Sequence, residues 1–467
     1  MLCRIAIPML FVAAAALAQS PAPPDGEIRR ILAQRVDERH QAVGMVAAVI
    51  EPSGTRVIAY GKPAKDDARP LGGDTVFEIG SITKVFTALL LADMAQHGEV
   101  KLDDPIAKYL PAGVKAPERN GKQITLEQTA THTSGLPRLP NNFSPKDASN
   151  PYADYSADKL YAFLNSYQLP RDPGERWEYS SLATGLLGQL LSLRAGKDFE
   201  TLVVSRIAAP LGMTSTRITL TPEMKERMAA GYNAALQPVR LWDFQALAGC
   251  GALRSTANDL IAFLAANLGY KKSPLQPAMA AMLEVRVPGP ALNFQQALGW
   301  HIMQHNGRNL IWKDGGTYGF ASFVGFDAKS RLGVVVLANS FSVTSGVADE
   351  VGLHLLDTSM PLAGAPVKER TAVPVDPEIL EKYVGRYQLS PTFFIAITRE
   401  DDRLYEQATG QPKIQIFAES EKEFFLKAVD AQISFKTDAQ GGSTELILHQ
   451  NGLDQRAART DSGGSMK

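Results

Sequence analysis

The run from Val85 to Met94 is apolar on nearly every side. Ile82, Val85, Phe86, Leu89, Leu90 and Met94 recur at helical spacing, and Ala88 and Leu91 fill the opposite side. A helix that is apolar all round cannot lie on a surface, so the other elements must be packed around it. Gly98 supplies its stop. The stretch Phe77-Glu78-Ile79-Gly80-Ser81-Ile82-Thr83-Lys84 reads as a loop giving way to this helix. Ser81 then stands at the helix start, with Lys84 one turn later on the same face.

That pairing suits nucleophilic catalysis. A serine hydroxyl is a weak nucleophile until a neighbouring base takes its proton. A lysine held beside it, partly desolvated and near other cations, has a lowered pKa and can serve. The helix N-terminus adds backbone N–H groups for developing negative charge. Alone, Ser-x-x-Lys is a common pattern and Ser81 reads equally well as an N-cap. The rest of the chain decides between the two.

The chain has 467 residues, 45% of them hydrophobic and 21% charged, which is enough for a large core and more than one domain. Its formal net charge of −1 gives no sign of a nucleic-acid partner or a basic membrane face. Residues 1–18 read as a signal peptide: Arg4, an apolar stretch from Ile5 to Leu17, and a small-x-small site before Gln19. The run is short for a membrane span. The expectation is a periplasmic or secreted protein with no stable membrane span after cleavage. Cys3 leaves with the leader, and Cys250 remains as a packed thiol among small residues.

Residues 19–361 read as one domain. A charged surface helix is expected from Glu27 to Ala42. Strands are expected over Val43–Ile50, Thr55–Tyr60, Leu298–His305, Arg308–Lys313, Gly319–Phe326 and Gly333–Asn339, with Asn306-Gly307 as a hairpin turn. Helices fill the sequence between the two sets of strands, so an antiparallel sheet should pack against a helical region, an α/β (α+β) sandwich. The polar, Pro- and Asn-rich stretch from Asn141 to Asp158 reads as a loop lining a site. Residues 362–375 read as a linker. From Asp376, eight short strand candidates follow: Tyr383–Leu389, Phe393–Arg399, Arg403–Ala408, Lys413–Ala418, Glu423–Val429, Gln432–Thr437, Thr444–His449 and Leu453–Arg459. Residues 376–467 are therefore expected to form a small all-β domain, an up-and-down barrel (lipocalin-like) or a sandwich.

Two further motifs join Ser81-x-x-Lys84: Tyr179-Ser180-Ser181 ahead of an apolar helix, and Lys313-Asp314-Gly315-Gly316-Thr317 at the end of a strand. Together they resemble the serine β-lactamase and penicillin-binding protein superfamily, above all class C β-lactamases and the related periplasmic D-alanyl-D-alanine carboxypeptidases and endopeptidases. The resemblance covers Glu27 to Leu356. It extends to Val100–Pro105, His132-Thr133-Ser134-Gly135-Leu136-Pro137, Pro210-Leu211-Gly212-Met213 and Leu298-Gly299-Trp300.

The resemblance implies an acylated nucleophile at Ser81, a proton acceptor or shuttle at Lys84, and a general base or electrostatic partner at Tyr179. It implies an oxyanion hole from the N–H groups of Ser81 and Gly316. Substrate would be held by Ser181, Lys313, Gly315, Gly316 and Thr317, with Lys313 meeting the carboxylate of a β-lactam or peptidoglycan peptide. Lysine or tyrosine as the base stays open. Two positions depart from the family pattern: Ser181 replaces an Asn that contacts the substrate amide, and Asp314 replaces a Thr, bringing a carboxylate beside Lys313. No cofactor and no metal are expected. His301 and His305 share a strand face without accompanying carboxylates or cysteines, and His132 falls in what the family has as a structural loop. The expected activity is hydrolysis of β-lactam amides or D-Ala-D-Ala peptides. The same scaffold also resembles esterases, D-aminopeptidases and slow-turnover penicillin-binding sensors.

Overall fold

The computed structural model describes residues 22–284, 287–291, 293–341, 346–362, 370–390, 393–408, 413–426, 431–450 and 453–460. The leader read over 1–18 and most of the linker, residues 363–369, lie outside the described residues.

Eight antiparallel strands form the main sheet. They are β1 (Gly44–Glu51), β2 (Gly54–Gly61), β3 (Val287–Pro288), β4 (Phe294–Gln296), β5 (His301–His305), β6 (Arg308–Gly316), β7 (Ala321–Asp327) and β8 (Leu332–Ala338), in the spatial order β2-β1-β8-β7-β6-β5-β4-β3. The first strands of the chain thus sit against the last: β1 pairs with β8 in the register Met45↔Ala338 to Ile50↔Gly333. The strand expected from Leu298 begins only at His301, because Gly299 takes a left-handed φ of 72° and breaks the extended run. β6 runs three residues beyond the expected Lys313, to Gly316.

Every residue of β1 is buried, so the strand is covered on both faces. Val46, Ala48 and Ile50 point into the large core shared with the helical region, whereas Met45, Ala47 and Val49 point into a second core. That second core includes α1 (Asp25–Ala33), where Ile28, Ile31 and Leu32 are fully buried. The N-terminal helix lies at the surface, as its charges indicate, with Asp25, Glu27, Arg29 and Arg30 exposed. It lays an apolar stripe on the sheet, and Arg35 just beyond it pairs with Glu350 at 2.5 Å. The sheet has helices on both sides rather than one.

On the other face runs α2 (Thr83–Gln96), buried without interruption from Thr83 to Met94. Around it stand α3 (Ser181–Ala195), α4 (Ala257–Asn267) and α5 (Gln276–Glu284), while α6 (Val347–Leu356) packs on the opposite side of the sheet. Among the described residues no helix is long and apolar enough to cross a membrane.

The C-terminal unit is a closed barrel of eight strands in sequential order, β9 to β16: Gly385–Ser390, Phe393–Glu400, Arg403–Ala408, Ile414–Ala418, Glu423–Leu426, Ala431–Thr437, Ser443–Gln450 and Leu453–Arg459. It closes through Tyr387↔Arg459. Side chains fill its interior: the Tyr383 and Phe435 rings stack at 4.3 Å, and Phe424 meets both edge-on.

Candidate active site

The site is built where β6 ends against the turn before α2. Gly80 has φ +46°, and a Cβ there would come within 2.6 Å of Gly316 N. A Cβ on Gly315 would come within 2.1 Å of the Ile79 carbonyl oxygen and 3.0 Å of Ser81 N. Only glycine allows backbones this close. The Ser322 hydroxyl on β7 donates to the Ile79 carbonyl at 2.9 Å and fastens the turn to the sheet. The N–H-bearing segments of Ser81 and Gly316 are thereby brought side by side.

Ser81 lies in a short 3₁₀ turn, Gly80–Ile82, which leads directly into α2. It is partly exposed, whereas Lys84, one turn on, is 1% exposed. Lys84 Nζ donates to Ser81 Oγ at 3.0 Å and to the Cys250 carbonyl at 2.7 Å. The Tyr179 hydroxyl lies 2.8 Å from the same Ser81 Oγ. The three residues, 98 positions apart at the widest, thus meet at one oxygen.

Tyr179 is surrounded by cations. Lys84 Nζ lies 5.0 Å and Lys313 Nζ 5.6 Å from its ring centroid, and the exposed Arg138 guanidinium lies 5.2 Å away. Burial pushes the phenol up, but the ammonium groups of Lys84 and Lys313 outweigh it and leave Tyr179 below its ordinary value. His132 holds the ring from behind, 4.6 Å between centroids, and its Nδ1 accepts the Ser180 N–H at 3.2 Å. Burial, with Lys84 and other cations, holds His132 well below its ordinary value, so it is neutral and acts as a support. Ser180 caps α3 by accepting the Ala183 N–H and donates to the Pro137 carbonyl. Ser181 opens α3, nearly buried, with its N–H on the Arg138 carbonyl.

Lys313 is where sequence expectation and geometry part. Its Nζ donates to Asp314 Oδ1 at 2.6 Å and to the Asp314 carbonyl at 2.9 Å. The carboxylate does not point away; it pairs with Lys313. Thr317 is 2% exposed and its hydroxyl bonds to Glu78, which places it in the scaffold rather than on an open edge. His301 and His305 make separate contacts: His301 Nδ1 with Gln296 Oε1 at 3.0 Å, and His305 Nε2 with Ser359 Oγ at 2.9 Å.

Two features escaped the sequence reading. Arg138 directly follows the His132–Pro137 motif, yet nothing in its neighbours marks it as a rim residue. Glu78 is buried beside Arg254, 3.4 Å away, and accepts the Trp242 N–H at 2.8 Å, while Arg254 donates to the Trp242 carbonyl at 2.7 Å. This pair clamps a wall of rings, with Trp242 4.7 Å from Tyr318 and 5.3 Å from Tyr152. The signal available was a lone carboxylate in the apolar context Phe77-Glu78-Ile79, since a buried charge requires a partner.

A buried lysine, a tyrosine with a lowered pKa and a serine on a helix-opening turn, on an antiparallel sheet flanked by helices, define a serine hydrolase of the acyl-transfer kind. The beta-lactamase family profile matches residues 28–357, and a domain of unknown function, DUF3471, matches residues 369–461. The chain belongs to the beta-lactamase family, whose members are serine hydrolases. It is 30% identical over 320 residues to the D-alanyl-D-alanine-carboxypeptidase/endopeptidase AmpH of Escherichia coli K12, covering 65% of this chain and 81% of that one. It is 26% identical over 458 residues to penicillin-binding protein 4* of Bacillus subtilis, covering 92% and 97%, so that likeness spans the barrel as well. A solved beta-lactamase/D-alanine carboxypeptidase from Yersinia pestis, in complex with citrate, superposes with a TM-score of 0.60 at 28% identity over 70% of this chain and 97% of that one.

Proposed function

We propose that the chain hydrolyses an amide or ester through an acyl-enzyme on Ser81 Oγ. The observation that carries this is the meeting of Lys84 Nζ at 3.0 Å and the Tyr179 hydroxyl at 2.8 Å on that oxygen. Tyr179, as phenolate, accepts the Ser81 proton while Oγ bonds to the substrate carbonyl carbon. Lys84 steadies the phenolate and the incoming alkoxide. The carbonyl π electrons move onto oxygen, facing the N–H groups of Ser81 and Gly316. Collapse breaks the bond to the leaving nitrogen or oxygen, which takes the proton from Tyr179. Water then attacks the ester, giving its proton to Tyr179, and Ser81 recovers a proton as the acid leaves.

The substrates that the relatives' names support are β-lactams and peptides ending in D-Ala-D-Ala. One observation favours a second reading, an esterase or D-aminopeptidase: the Lys313 ammonium is paired with Asp314. The leader, read over 1–18 with cleavage before Gln19, supports export to a periplasm or beyond.

The test is intact-mass analysis of the purified chain with a chromogenic cephalosporin and a p-nitrophenyl ester, with Ser81→Ala as control. A Ser81-dependent acyl adduct is expected, and release within seconds rather than hours separates an enzyme from a sensor. An adduct that persists in Ser81→Ala would falsify the assignment.

A further inference from the structure

Lys313 and Asp314 both stand at the wall of the site, and exposure separates them. The Lys313 side chain is 1% exposed and that of Asp314 is 39% exposed. Burial works against the Lys313 charge, but Asp314 and Tyr179 more than offset it, so the lysine stays above its ordinary value and fully charged. Its ammonium is already committed to Asp314 Oδ1 and to the Asp314 carbonyl. Of the two, the charge open to a ligand is therefore the carboxylate.

Apart from Lys313, the groups packed against that carboxylate bring it no cation. Gln296 Nε2 donates to the Ala297 and Trp300 carbonyls, so its Oε1 must accept, and His301 Nδ1 carries the hydrogen. His301 Nε2 lies 3.7 Å from Asp314 Oδ1. Burial, then Lys313, holds His301 at about 4, so it is neutral at pH 7. Asp349 on α6 is pushed well above the carboxylate range by burial and by Asp314, and brings no cation. Arg138 stands at the rim over the Tyr179 ring. Asp314 lies two residues before Gly316, about 6.6 Å along an extended strand.

We propose that Asp314 determines specificity at this site: it makes Lys313 a buried counter-ion instead of a carboxylate receptor, and it selects esters or amides carrying a cationic nitrogen near the scissile bond over those carrying a carboxylate. This rests on the acyl-enzyme reading above and names the substrate class for it. A carboxylate approaching this wall meets like charge, whereas a cation gains a charge-assisted contact without disturbing the Lys313 pair.

The experiment uses three acetate esters with one acyl group: 3-(trimethylammoniomethyl)phenyl, 3-methylphenyl and 3-carboxyphenyl acetate. Each kcat/KM is corrected for its alkaline hydrolysis rate, and Ser81 acetylation is followed by intact mass. Wild type should rank them cationic, neutral, anionic, with about tenfold between the ends. Asp314→Asn and Asp314→Thr, each normalised to its own neutral ester, should collapse or reverse that ratio. A wild-type preference for the carboxylate ester overturns the proposal and gives carboxylate recognition to Arg138 or Lys313. A ratio unchanged in both variants, with Ser81 still acetylated, overturns it while leaving the hydrolase reading intact. Absence of acetylation by all three esters in wild type overturns both.

Discussion

Gly315→Ala probes how the end of β6 is coupled to the nucleophile. The added Cβ would lie 2.1 Å from the Ile79 carbonyl oxygen, 2.5 Å from Ser322 Oγ and 3.0 Å from Ser81 N. Carbon and oxygen settle at about 3.3 Å or more, so roughly 1.2 Å must open between strand and turn. Two of the three obstacles are backbone, and the third, Ser322, is itself bonded to Ile79. The strand end, including Gly316, must therefore move away from Ser81 by an amount on the order of 1 Å. A 1 Å misplacement at a reacting centre costs about 10²-fold, and loss of one oxyanion donor costs ~10²–10³. The expected result is a fall in kcat of about 100-fold or more with a much smaller change in KM. A stability loss of about 1–3 kcal/mol from overpacking should accompany it. The assay is stopped-flow acylation of Ser81 together with a thermal melt. Gly72→Ala serves as control, because a Cβ there meets nothing within 4 Å. Gly315→Ala with wild-type kcat and an unchanged melt refutes the argument: strand and turn would then be loosely joined, and the oxyanion hole would not depend on their contact.

Tyr179→Phe should lower kcat by about 10²–10⁴, the usual worth of a positioned proton acceptor, with an unchanged melt. Because Lys84 and Lys313 hold Tyr179 below its ordinary value, wild-type activity should rise with pH as the phenolate forms. That rise should be missing in Tyr179→Phe, and its persistence assigns the base to Lys84. A chain ending at Leu362 should fold and still acylate Ser81, since all three motifs precede Leu356. A folded truncation that no longer reacts gives the barrel a part in the site.

Much of the architecture was legible because its signals are local. Two of the eight barrel strands, Arg403–Ala408 and Leu453–Arg459, begin and end where alternation and turn residues place them. The nucleophile helix was legible for the same reason, its apolar circumference requiring burial. Ser81, Lys84 and Tyr179, whose side chains meet at one oxygen, were singled out through motif order. What stayed hidden depends on side-chain direction at the ends of elements. Neighbours on a strand normally face opposite sides, so nothing in Lys313-Asp314 foretells a 2.6 Å contact between them. The charges of Glu27, Arg29 and Arg30 likewise masked the buried stripe of Ile28, Ile31 and Leu32.

The pairing of Met45 with Ala338 also sets the order in which the chain can fold. A central seam of the main sheet joins segments nearly 300 residues apart, so β1, paired with β2 on one side, has no partner on the other until β8 has been made. Closing so long a loop is entropically costly and slow. Until then Val46, Val49 and Ile50 present an unpaired apolar edge, the kind of surface that holding chaperones engage and that otherwise leads to aggregation. The barrel carries no such debt to earlier sequence. Each of its strands from β10 onward pairs with the one just synthesised, and closure joins β9 to β16 within about 75 residues. The barrel can therefore finish folding on its own schedule, while β1 waits for its distant partner.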